Sequence, residues 1–132
     1  MKSDISKKIE KSLHIMKTVE GFEKVKFIML YGSATLGEMK EGSDIDLAIY
    51  YDADLEEASQ FRFKVLSELF EDIYDVQIYQ ALPLYVRKEV LKGEVVYFED
   101  MPFVYEVAYR TIKEVDLFKK RYYDYIGGRM IT

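Results

Sequence analysis

A glycine and a serine, Gly32-Ser33, stand directly after an apolar run, and ten residues later Asp44 and Asp46 bracket a single isoleucine. A further aspartate, Asp75, lies inside another apolar stretch. A spacing of two puts Asp44 and Asp46 on one face of a strand, and Asp75 converges with them if the strands are neighbours. Three carboxylates held together repel and are costly to desolvate, so the arrangement calls for a cation. The chain has no cysteine and one histidine, His14. Its ligands must therefore be oxygens, which suits the hard ions Mg²⁺ or Mn²⁺. Gly32-Ser33 suits phosphate, because glycine admits close backbone approach while the following N–H groups and the Ser33 hydroxyl can donate to oxygens.

Each feature alone has a plainer explanation: Gly32-Ser33 and Ser43-Asp44 are ordinary turn pairs. Asp46 resists it, since an aspartate between Ile45 and Leu47 in a buried run needs a partner. The joint pattern, Gly-Ser, ten residues, then Asp-x-Asp, would arise by chance in about two chains in a thousand of this length. We therefore read it as one unit for metal and phosphate.

The elements that must position these residues follow from hydrophobic spacing. Ile5, Ile9, Leu13 and Met16 predict a helix from Ser3 to about Val19, ended by Gly21. Strands are predicted at Val25 to Tyr31, Ile45 to Tyr51 and Ile73 to Tyr79, the last alternating Asp75 and Gln77 with Val76 and Ile78. Leu55 to Phe70 has helical spacing, and Pro83 opens a short helix, Leu84 to Leu91, with Gly93 as its terminating glycine. Val95 to Phe98 reads as an edge strand. Asp100 before Pro102 starts a last helix from Phe103 to about Ile126, closed by Gly127-Gly128. This order predicts an α/β or α+β fold: a small mixed sheet of three to four strands flanked by helices, forming a single domain over residues 1–132.

Composition excludes several classes. The chain carries 19 Lys plus Arg against 24 Asp plus Glu, a net charge of −5. That argues against direct nucleic-acid binding through phosphate neutralisation. With 49% hydrophobic and 33% charged residues it folds rather than remaining disordered. No apolar run is long enough to span a bilayer and the first residues lack a signal-peptide core, so a cytoplasmic protein without a membrane partner is expected.

The stretch LYGSATLGEMKEGSDIDLAIYY resembles the signature of the DNA polymerase β-like nucleotidyltransferase superfamily, in its minimal nucleotidyltransferase (MNT) branch. The resemblance implies the polymerase β-like nucleotidyltransferase fold, with Gly32, Ser33, Gly37 and Ser43 around the phosphates of a nucleoside triphosphate. It also implies that Asp44, Asp46 and Asp75 are the catalytic carboxylates and hold two Mg²⁺ ions, Asp75 activating the attacking hydroxyl. Family members often carry arginines, as in GSRARG, where this chain has Ala34, Thr35 and Leu36. Phosphate neutralisation then falls to metal, backbone or Lys40.

Small MNT proteins are commonly antitoxins of HEPN ribonuclease toxins. The implied function is thus a protein adenylyltransferase that moves AMP from ATP to a tyrosine of such a toxin. Transfer to a small molecule and neutralisation by binding alone are the alternatives, and homo-oligomerisation stays open. Two other clusters lie on the last helix. Lys119-Lys120-Arg121 reads first as a solvated face, whereas Tyr122, Tyr123 and Tyr125 cannot all face one core, which makes that end a candidate interface.

Overall fold

The computed structural model describes residues 4–32 and 44–131, the side chains of 128–131 excepted. Helix α1, Asp4–Met16, presents Ile9 and Met16 to the core. Ser12 is also buried there, its hydroxyl satisfied by donating to the Ile9 carbonyl at 2.7 Å. Strand β1, Val25–Tyr31, and strand β2, Ile45–Tyr51, have the bounds that their apolar runs predict. Helix α2, Leu55–Leu69, starts at Asp54, whose side chain accepts from the Glu57 N–H at 2.8 Å, and ends at Phe70, held left-handed at φ 59°. Strand β3, Tyr74–Ile78, helix α3, Leu84–Val90, strand β4, Glu94–Phe98, and helix α4, Met101–Ile131, complete the order.

The sheet runs β3-β2-β1-β4, with β2 and β3 parallel and β1 antiparallel to both β2 and β4. A parallel pair needs a crossover, and α2 supplies it. On one side of the sheet Ile28, Leu30, Ile45, Leu47, Ile49, Val76 and Ile78 pack with residues of α1 and α2 such as Met16, Phe61 and Val65. On the other side Phe27, Met29, Ala48 and Tyr79 pack with Val90 of α3 and Val104 and Val107 of α4. A register shift in β1 between Val25 and Phe27 changes the phase of the strand, which explains why these two residues serve opposite cores.

Polar side chains lock the joints. Gln80 acts as a short extension of the sheet: its amide donates to the Tyr51 carbonyl and accepts from the Tyr51 N–H at 3.1 Å. Arg62 of α2 donates to the Val76 carbonyl at 2.6 Å, satisfying an acceptor on edge strand β3. The buried hydroxyls of Tyr79 and Thr111 share a hydrogen bond of 2.6 Å that ties the end of β3 to α4.

Several boundaries differ from expectation, and α1 ends at Met16 rather than near Val19. Tyr79 opens a 3₁₀ turn, Tyr79–Ala81, instead of closing β3. Gly93 does not terminate α3, which already closes at Leu91 in a right-handed conformation. A Cβ at Gly93 would instead run into the Leu30 carbonyl, so glycine is needed for close approach of the α3–β4 connection to β1. Helix α4 begins at Met101 and passes through Gly127-Gly128 to Ile131. Glycine in a helix costs about 1 kcal/mol relative to alanine but does not forbid the helical backbone, and among the described residues none packs around Gly127 to force a turn.

Candidate active site

Register brings the chemistry together. Tyr31 is paired with Asp46 across β1 and β2, and Asp46 with Asp75 across β2 and β3, so the three form one row across three strands on one sheet face. Neighbouring strands lie about 4.8 Å apart, within reach for carboxylates facing the same way. The Asp46 carboxyl is pushed up to about 6, by burial first, then by the charges of Asp75 and Asp44 and a hydrogen bond with Asp75. Two residues along β3, Gln77 donates to Asp75 Oδ1 at 2.9 Å and fixes that carboxylate from its own face.

Gly32 closes the row from above. Its φ is +77°, a conformation that disfavours side chains, and a Cβ there would collide with Asp46 Oδ2. Backbone at the end of β1 therefore lies directly against the carboxylate. The glycine expected to admit phosphate also makes room for the acid beside it.

Asp44 is exposed just before β2, on the same side as Asp46 by the strand's alternation. It acts on Asp46 through charge, while Asp75 acts through both charge and a hydrogen bond. Among the described residues no three acidic or histidine side chains converge as closely as a ready-built metal cage requires. Ser33, Gly37 and Ser43, together with Ala34, Thr35, Leu36 and Lys40, lie outside the described residues. The donor set that is described nevertheless fits a hard cation. It consists of oxygens only, and the mutual repulsion of Asp46 with Asp75 and Asp44 is the charge excess that a divalent ion relieves.

Residue spacing alone does not single out Tyr31. Its hydroxyl is pushed up to about 12, by burial and then by Asp46 and Asp75, so it stays a neutral hydrogen-bonding group beside the acids. The signal was its position, the last strand residue before Gly32, which by alternation shares a face with whatever pairs opposite. Gln77 was placed on the correct face, but its bond to Asp75 depends on side-chain direction that spacing does not encode.

Comparison with known proteins agrees with this geometry. Residues 13–101 match the family model of the polymerase beta nucleotidyltransferases. A Methanocaldococcus jannaschii protein provisionally named a protein adenylyltransferase is 34% identical over 77 residues, covering 58% of this chain and 58% of that protein. The chain thus aligns with little more than half the length of that relative. A chain from a crystal structure of a toxin–antitoxin with AMP-PNP superposes with a TM-score of 0.66 at 21% identity, covering 94% of this chain and 97% of that one. A chain from the complex of a tri-AMPylated Shewanella oneidensis HEPN toxin with its MNT antitoxin gives 0.64 at 19% identity, covering 93% and 98%. At these identities the superpositions establish a shared fold. The family match spans all four strands of the sheet, including the two that carry the paired aspartates, and the chain belongs to the polymerase beta nucleotidyltransferase family.

Proposed function

We propose that this protein is a metal-dependent adenylyltransferase that moves AMP from ATP to a tyrosine hydroxyl of a HEPN ribonuclease toxin and thereby acts as its antitoxin. The observation that carries the chemistry is the pairing of Asp46 with Asp75 across β2 and β3, two oxygen donors on one sheet face with the backbone of Gly32 directly against Asp46. The name of the Methanocaldococcus jannaschii relative and the toxin–antitoxin complexes of similar fold support the choice of nucleotide and partner.

Asp44, Asp46 and Asp75 would hold the ions. Mg²⁺ or Mn²⁺ held there would neutralise charge on the triphosphate and make the α-phosphorus more electrophilic. Gly32 and Ser33 would orient the outer phosphates through backbone N–H groups and the serine hydroxyl, with Gly37 and Ser43 completing the loop. Asp75, held by Gln77, accepts the proton of the attacking hydroxyl. The hydroxyl oxygen forms a bond to the α-phosphorus, the bond from that phosphorus to the bridging oxygen breaks, and pyrophosphate leaves. Tyr31 stays protonated beside the acids and can donate a hydrogen bond to either of them.

The test is incubation of the protein with labelled ATP, Mg²⁺ and the product of the neighbouring gene, beside an Asp44→Ala, Asp46→Ala control. Label on a partner tyrosine that the control lacks supports the reading. Partner binding without label would make the protein a non-catalytic neutraliser, and label on a small acceptor in place of the partner would make it a small-molecule transferase.

A further inference from the structure

The apolar stripe that seats α4 continues past the body of the protein. Val104, Val107, Thr111 and Val115 recur at intervals of three and four residues and are all buried. In the same phase, Phe118 and Tyr122 are 61% and 52% exposed, and their rings stack on one another with centroids 6.4 Å apart and planes 9° apart. Where the stripe leaves the body, Leu84 and Tyr85 of α3 and Val115 and Phe118 of α4 wall an apolar cavity of about 250 Å³, completed by Lys88 and Lys119. Contiguous exposed aromatics in line with a buried seam form the kind of surface that partners cover.

Charge selects the occupant. At 3.6 residues per turn, Lys119 and Arg121 lie about 80° to either side of the stripe, one on each flank. Asp116 and Asp124 fall about 140° from the stripe by the same geometry, and Glu114, about 60° from the stripe on the Arg121 flank, is engaged by Arg87 of α3 at 3.3 Å. A second copy of the chain laid along this stripe would set Lys119 and Arg121 against the same cations in either direction, which is repulsive. We propose that the stripe from Val115 to Tyr122, with the α3 side of its cavity, seats an amphipathic helix of a partner protein whose apolar face is flanked by carboxylates. This deepens the antitoxin reading by naming a docking surface, and rests on that reading only for which protein supplies the helix.

Two synthetic amphipathic peptides of about 20 residues, long enough for a stable helix face, test it by titration into the full-length protein. Both carry the same leucine stripe, one with glutamate flanks and the other with lysine flanks. The glutamate peptide should bind at least about tenfold tighter. Phe118→Ser with Tyr122→Ser should abolish that binding while the circular dichroism spectrum stays folded, and Lys119→Glu with Arg121→Glu should reverse the preference. Equal binding of both peptides, binding of neither, or a dimer of the protein that Phe118→Ser with Tyr122→Ser dissolves would each overturn the proposal. If the partner is labelled by ATP while neither peptide binds, the docking surface alone is wrong. If the glutamate peptide binds as expected and no partner is labelled, only the catalytic reading fails.

Discussion

The row Tyr31, Asp46, Asp75 lies across β1, β2 and β3, and Phe27, Tyr50 and Tyr79, across β1, β2 and the turn that follows β3, lie on the same side of the sheet about four residues or 13 Å away along the strands. In the second row the Phe27 and Tyr50 rings stack at 5.3 Å, Tyr50 lies 6.1 Å from Tyr79, and Phe103 of α4 closes over Tyr50 at 5.1 Å. In the first, carboxylates face one another at the loop end of the strands. Between them Met29, Ala48 and Gln77 make the transition, the last turning its amide toward Asp75. The difference shows how a small domain divides labour along one strand direction. Helices cover the aromatic end and hold the sheet, so the acidic end can keep repulsive charges that a cation and substrate would use.

The largest expected effect comes from breaking the acidic row. Asp46→Asn or Asp75→Asn should lower nucleotidyl transfer by about a thousandfold or more, equivalent to about 4 kcal/mol, with the thermal transition retained; loss of folding instead would mean that this row is structural. Phe27→Ala breaks the opposite row and should cost about 3–4 kcal/mol of stability in urea unfolding, because a fully buried ring leaves a cavity. Gly32→Ala separates position from charge. Left-handed strain of about 1–2 kcal/mol and displacement of Asp46 should reduce transfer by about 10- to 50-fold while all three acids remain.

The smallest effect concerns pH. In the metal-free protein Asp46 keeps its proton to about pH 6, against 3.8 for an unperturbed aspartate. A raised carboxyl pKa contributes stability that is full below the unfolded value and lost as pH rises through the folded one. Partial exposure screens the interaction, so metal-free wild type should lose about 1–2 kcal/mol relative to Asp46→Asn between pH 4 and pH 7. Thermal melts of both proteins in chelator across that range check the sign, and a constant difference would show that Asp46 does not feel its neighbours.

The legible parts of the site were those encoded by alternation. Asp46 stood out because Ile45 and Leu47 are buried, and Asp75 because Val76 and Ile78 are. Their meeting required β2 and β3 to be neighbours in parallel with Asp46 opposite Asp75, a register that no single strand contains. Gly93 misled because a glycine after a helix usually ends it, whereas here the constraint is a carbonyl of β1 more than sixty residues earlier in the chain. Gly127-Gly128 misled for the opposite reason: a glycine's tolerance of a turn does not create one where packing is absent.

Local periodicity thus determined the elements, the face each acid occupies and the exclusion of thiol and multi-histidine chemistry, since these depend only on residue type and near neighbours. Tertiary structure decided what depends on distant segments. It set Tyr31 beside the acids and pushed the Asp46 carboxyl upward. It also covered the stripe of α4 as far as Val115 and left Phe118 and Tyr122 exposed, because burial and electrostatic coupling arise from what other parts of the chain bring alongside.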